Sequence, residues 1–170
     1  MQTERILTAG MSGSGKSVYA EKLVSTFSSR KKFDQLILVN RKSEMSELVS
    51  PGARFAIDES INERHLTKIL NGHKKVFFRV DGYDPRDFLN ALGNEIMQRR
   101  YILLVIEEAS EFLPRGKSPK ALFRIFTAGR ERGHSTIAVT QMLQSAMAGI
   151  DLAVMQQCTM LVSFRLQGEN

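Results

Sequence analysis

The chain reads as an α/β fold: a mostly parallel central sheet with helices on both faces. Three observations predict it. Strand-length apolar runs alternate with helical stretches from end to end, which calls for right-handed crossovers between parallel strands. One of those runs, Leu36-Ile37-Leu38-Val39, is apolar at every position, as a strand covered on both faces should be. The first run ends in a glycine turn that opens directly into an amphipathic helix. At 170 residues, 42% hydrophobic and 25% charged, the chain has the composition of an ordinary globular protein and the length for one core. Residues 1–170 are read as a single domain, with no internal repeat or low-complexity linker.

In chain order, Arg5–Ala9 is a short strand that breaks at Gly10. Lys16–Ser28 carries Ala20, Leu23, Val24 and Phe27 at the i, i+3, i+4, i+7 spacing of one buried helix face. The Leu36–Val39 strand is followed by the polar stretch Arg41–Pro51, a loop or frayed helix. Asn62–Asn71 is a short helix ending at Gly72, and Lys75–Val80 a further strand. Asp84-Pro85 supplies an N-cap and a proline for the first helical position. The helix behind it places Phe88, Leu89, Leu92 and Ile96 on one side. Tyr101–Ile106 is the most apolar strand. Ser118-Pro119 opens another helix in the same capped manner, running to about Gly129. Thr136–Val139 and Met160–Phe164 are strands separated by an apolar helical stretch around Ala146–Gln156.

No apolar run approaches the roughly 18–20 residues of a membrane span. The N-terminal Met1-Gln2-Thr3-Glu4-Arg5 lacks the order of a secretory signal. The lone Cys158 excludes an internal disulfide and fits a reducing, cytoplasmic setting. His65, His73, His134 and Cys158 show no metal-ligand spacing. A net charge of +6 and a pI near 9.7 favour polyanionic partners without specifying one.

The strongest local signal is Gly10-Met11-Ser12-Gly13-Ser14-Gly15-Lys16-Ser17, a G-x-x-x-x-G-K-[ST] match set between a strand and a helix. Glycines let such a loop turn its backbone N–H groups inward around a phosphate, and the helix N-terminus adds unpaired donors and partial positive charge. Lys16 supplies a point charge to the β- and γ-phosphates of ATP, and the Ser17 hydroxyl a ligand to Mg²⁺. Val18, next on the helix, completes the nucleotide-contacting set. The competing explanation is a chance glycine turn ahead of a helix.

The Tyr101–Ile106 strand runs straight into Glu107-Glu108-Ala109-Ser110. A buried parallel strand delivers both carboxylates to the carboxyl edge of the sheet, where phosphates sit in open α/β folds. One carboxylate there serves the Mg²⁺ shell and the next activates the attacking water. A solvated acidic helix start is the bland alternative. This strand with its acidic pair resembles the Walker B motif of P-loop ATPases that carry an extra catalytic glutamate, whose usual form is Asp-Glu. Glu107 in place of Asp adds a methylene between backbone and metal, and Glu108 occupies the position of the water-activating base.

Further along, Thr127-Ala128-Gly129-Arg130-Glu131-Arg132-Gly133-His134 precedes the short apolar strand ending in Thr140-Gln141. This series, with the strand Met160–Phe164 after Gln156-Gln157-Cys158-Thr159, resembles the HerA/FtsK superfamily of DNA-pumping ATPases with a RecA-like P-loop fold. The resemblance runs over nearly the whole chain. It implies that Gln141 senses the γ-phosphate and orients water, and that Arg130 reaches a neighbouring subunit's nucleotide, with Arg124 and Arg132 competing for that role. Such a site requires a homo-oligomer, by resemblance a hexameric ring. Arg115, Lys117, Lys120 and Arg124 form a basic cluster that would track DNA phosphates in a ring, or be a solvated helix face. The compact size resembles viral genome-packaging ATPases, which implies a capsid or portal partner and a place in host cytoplasm or virion. A cellular or plasmid HerA/FtsK-type DNA-processing or conjugation ATPase, a small-molecule P-loop kinase and a non-hydrolysing assembly protein are the alternatives.

Overall fold

The computed structural model describes residues 3–57, 63–81, 84–141 and 149–164. Seven strands form one sheet: β1 (Arg5–Ala9), β2 (Gln35–Asn40), β3 (Arg54–Ile57), β4 (Lys75–Val80), β5 (Ile102–Ile106), β6 (Ser135–Thr140) and β7 (Met160–Ser163). Their order across the sheet is β3-β4-β2-β5-β6-β1-β7, and every pairing is parallel. The helices are α1 (Lys16–Ser29), α2 (Glu63–Gly72), α3 (Arg86–Gln98), α4 (Ala109–Phe112), α5 (Lys120–Ala128) and α6 (Leu152–Gln157). None of them is long and apolar enough to cross a membrane.

Strand periodicity divides the core in two. Ile37, Val39, Leu104 and Ile106 point to one face and pack with Leu89, Leu92 and Ile96 of α3 and Leu122 and Phe126 of α5. Leu36, Leu38, Leu103 and Val105 point to the other, against Ala20, Val24 and Phe27 of α1. Because both faces are covered, β2 and β5 are buried at every position. A parallel sheet sandwiched this way has a single carboxyl edge, and every functional loop considered below is placed relative to it.

The expected α/β architecture is the one found, with local corrections. The sequence pattern does not reveal β3, a four-residue edge strand with two of its residues exposed. Arg41–Pro51 is not a frayed helix: it contains a 3₁₀ turn at Ser46–Leu48, and Met45 and Val49 anchor it in the core. Tyr101 lies outside β5, in a left-handed conformation (φ 54), with its N–H donated to the Arg132 carbonyl at 3.0 Å. The ring of Tyr101 fills the space beside Gly133, where a Cβ would stand 2.5 Å from Cδ1. β7 ends at Ser163, before Phe164. Of the stretch Ala146–Gln156, residues 146–148 lie outside the described residues; the helix begins at Leu152 and is capped by the Asp151 carboxylate, which accepts the Ala153 N–H. Asn62 also falls outside them.

The two proline-led helices begin differently. The N-cap of α3 is Pro85, one residue later than expected: its carbonyl takes the Leu89 N–H at 2.8 Å, while Asp84 Oδ1, just outside the helix, accepts the Arg86 N–H at 3.1 Å. Ser118 does not cap α5; its hydroxyl donates to the Pro114 carbonyl at 3.1 Å. The cap comes from α3, whose Asn90 Oδ1 accepts the Ala121 N–H at 3.0 Å. This cross-helix cap depends on Gly93, because a Cβ there would stand 2.4 Å from the Ala121 carbonyl carbon and the Leu122 nitrogen. Gly93→Ala is expected to force α3 and α5 apart and lower stability by about 2–3 kcal/mol in urea denaturation. Gly72→Ala, whose Cβ meets nothing within 4 Å, is expected to be neutral or stabilising by up to about 1 kcal/mol.

Candidate functional site

The G-x-x-x-x-G-K-S loop leaves β1 and enters α1 at Lys16. Gly10 adopts φ 157, while Gly13 and Gly15 adopt φ 71 and 95, left-handed conformations that resist a side chain. A 3.2 Å bond from the Gly10 N–H to the Thr140 carbonyl ties the loop to the end of β6. The Lys16 ammonium is buried and folds back onto its own loop, donating to the Met11 carbonyl at 2.6 Å. Met11 and Ser17 are half-buried; Ser12, Gly13 and Val18 are exposed, and the Val18 side chain points to solvent. Ser14 Oγ is buried without a hydrogen-bond partner.

The register of the sheet brings the other residues to the same edge. Ala9 of β1 pairs with Thr140 of β6, and Ile106 of β5 pairs with Ala138 of β6 and Val39 of β2. The carboxyl ends of β1, β6, β5 and β2 therefore surround one cleft of about 70 Å³. Ser12, Gly13, Lys16, Ser17, Glu107, Glu108 and Gln141 line it.

The two carboxylates behave differently. Glu107 is buried, and its Oε1 has no hydrogen-bond partner. Burial first, then the Glu44 and Glu108 carboxylates, raise its pKa to about 7, against the Ser17 hydroxyl and the Lys16 ammonium. An unpartnered carboxylate oxygen facing a serine hydroxyl is an oxygen donor set that fits a hard divalent cation. Glu108 stands at the next position in the left-handed region (φ 52, ψ 44), a conformation costing about 1–2 kcal/mol for a residue with a side chain. Its Oε1 accepts Gln141 Nε2 at 3.0 Å and lies 3.6 Å from Lys42 Nζ.

Lys42 and Glu44, both lining the cleft, were not read from the sequence. They follow β2, and the available signal was positional: a parallel strand beside β5 must end at the same edge. Arg41 on this loop pairs with Glu111 of α4, which links the loop to the turn carrying Glu108.

Arg130 is not part of this cleft. It sits in the 3₁₀ turn Gly129–Arg132 ahead of β6, at the amino edge of the sheet. A six-residue strand at ~3.3 Å per residue separates the two edges by roughly 17–20 Å. At that edge burial first, and then the charge of Arg130, lowers the pKa of Arg5. Arg124 and Arg132 line a different cavity, between α3 and α5, which also holds Glu63, Glu95 and Glu131.

No family model and no curated protein matches the chain in sequence. Solved structures do match in fold. The genome packaging NTPase B204 from Sulfolobus turreted icosahedral virus 2, in complex with ATP-gammaS, is 19% identical with a TM-score of 0.70, covering 100% of this chain and 79% of that one. The same NTPase with AMPPCP gives a TM-score of 0.71 at 19% identity, with 100% and 79% coverage. KaiC-like protein PH0186 from Pyrococcus horikoshii OT3 gives 0.54 at 16% identity, covering 98% and 74%. These likenesses are of fold: an α/β chain with a parallel central sheet flanked by helices, in the topology of the P-loop NTPases.

Glu107 makes a test of the site available. Between its ordinary value of 4.5 and its folded value of about 7, the folded chain keeps a proton that the unfolded chain has released. Its contribution to stability therefore falls as pH rises through that window. Glu107→Gln removes the penalty. In urea denaturation with EDTA and no nucleotide, the variant is expected to match the parent at pH 4.5 and exceed it at pH 8 by up to about 3 kcal/mol. A pH-independent difference would contradict this.

Proposed function

We propose that this chain is an ATP-hydrolysing DNA translocase of the HerA/FtsK type that works as a ring subunit, in the role of a viral genome-packaging motor. The observation that carries the hydrolytic reading is the sharing of one Glu108 oxygen by Gln141 and Lys42 beside the phosphate loop. A kinase needs an acceptor site at this position; here the cleft ends in a carboxylate and an amide suited to holding water.

On this reading the N–H groups of residues 13–17 and the Lys16 ammonium hold the β- and γ-phosphates, Lys16 turning from the Met11 carbonyl toward them. Ser17 and Glu107 would hold Mg²⁺, which when bound neutralises charge on the phosphate oxygens. Gln141 orients a water, and Glu108 takes its proton as the water oxygen bonds to the γ-phosphorus. The bond from that phosphorus to the β–γ bridging oxygen breaks, and ADP leaves with that oxygen. Arg130 stabilises the charge on a neighbour's transferring phosphoryl group, since its own cleft lies beyond its reach.

Support for the packaging role comes from the fold likeness to a viral packaging NTPase. The same relation supports DNA and a homo-oligomeric ring as partners, with a capsid or portal component at the packaging site. A purified oligomer is expected to hydrolyse ATP faster when DNA is added; no nucleic-acid effect on turnover would refute translocation. Glu108→Gln is expected to retain ATP binding while hydrolysis falls about 10²–10⁴-fold. Arg130→Ala is expected to lose about 10³-fold or more. Mixing the two inactive variants should regenerate activity, because some interfaces then pair an intact Glu108 with an intact Arg130. Mixed rings as inactive as either parent would remove Arg130 from the trans role.

A further inference from the structure

We propose that the groove between α3 and α5 binds the phosphodiester backbone of nucleic acid; this deepens, and rests on, the translocase reading. Where Gly93 lets the two helices touch backbone to backbone, their outer surfaces flank an open groove of about 600 Å³. Arg86, Asn90, Asn94, Lys117, Lys120 and Arg124 line it, and no carboxylate does. Lys117, Lys120 and Arg124 are exposed, and none has a carboxylate partner among the described residues. Arg86 differs: Asp84 accepts its Nε–H at 2.7 Å, which neutralises the outer end of the groove.

The row of cations has a defined direction. Lys120 and Arg124 stand one helical turn apart on the same face of α5, and Lys117 precedes them. Asn94 and Arg124 also line the adjoining cavity, where Glu63, Glu95 and Glu131 stand beside Arg124 and Arg132. Lys117 and Lys120, at the start of α5, therefore lie toward the carboxyl edge, the edge that carries the phosphate loop, and the carboxylates line only the adjoining cavity. Three cations in a row with amide donors beside them suit a chain bearing one charge per ~3.4 Å along each strand.

An acidic protein partner fits less well. Stable protein interfaces centre on buried apolar and aromatic anchors, whereas the exposed large apolar residues among the described residues are Val18, Leu152, Met160 and Leu161, none of which lines this groove. Nor is the N-terminus of α5 a free dipole end, because Asn90 already caps it. The binding chemistry is side-chain charge, which reads backbone and not base sequence.

The test compares the oligomer with its Lys117→Ala/Lys120→Ala variant and a control, Lys22→Ala/Arg30→Ala, that removes equal charge from α1 and the residue that ends it. Binding of fluorescent 30-mers of single-stranded DNA, duplex DNA and single-stranded RNA is followed across a salt titration, alongside ATPase activity with and without each. The groove variant should keep wild-type nucleotide-only hydrolysis, lose stimulation, and bind at least 10-fold more weakly. Its log affinity–log salt slope should shrink by about 1–2 units. The control should stay within about 2-fold of wild type. An unchanged slope and affinity in the groove variant, or an equal loss in the control, overturns the groove while leaving the motor reading intact. A wild-type oligomer that binds none of the three probes overturns both. Preference among the probes identifies which nucleic acid the groove takes.

Discussion

The pairing of β1, β6, β5 and β2 in parallel register is the arrangement on which everything at the site depends. Strands that all run the same way end at the same edge, so residues nearly 130 positions apart in the chain meet without any dedicated scaffold. The 3.2 Å bond from Gly10 to Thr140 fixes the phosphate loop relative to Gln141. A matching bond from the Glu107 N–H to the Val39 carbonyl, 3.0 Å, fixes the acidic pair relative to the β2 loop. Both are ordinary continuations of the strand ladders. The helices then serve to bury the two apolar faces and make the sheet rigid enough to hold these ends in place.

Electrostatics at that edge divides labour between two adjacent glutamates. Glu107 is enclosed, short of hydrogen bonds and reluctant to ionise; Glu108 is turned outward by a left-handed backbone and held by an amide and an ammonium. Neighbours in sequence, they occupy environments as different as those of distant residues. The left-handed step at Glu108 produces the difference, since a regular helical or extended residue would point the second carboxylate elsewhere.

Much of this could be read from the chain itself, and the reasons are specific. β5 and the Leu36–Val39 centre of β2 are recognisable because burial on both faces leaves them no polar position. The glycine loop is recognisable because few residues tolerate its backbone. β3 escaped notice because an exposed four-residue edge strand leaves little periodicity. Tyr101 was counted into β5 on its apolar ring, although its ring packs beside Gly133 and its backbone turns. Lys42 and Glu44 were missed for a different reason: a polar loop has no composition that marks it as lining a cleft, and only the strand order places it there. Asn90 as the cap of α5 was invisible for the same cause, being 31 residues away from the N–H it satisfies.

Arg130 at the amino edge and the phosphate loop at the carboxyl edge make the chain a two-ended object. A two-fold dimer could join both pairs of unlike ends at once only if the two chains lay side by side and antiparallel, with one surface carrying both ends. Head-to-tail contact joins unlike ends one pair at a time, and it leaves one of each unused until the row closes on itself. On the proposed reading, then, an open oligomer has one silent site at its terminus, and closure is the step that makes all sites equivalent.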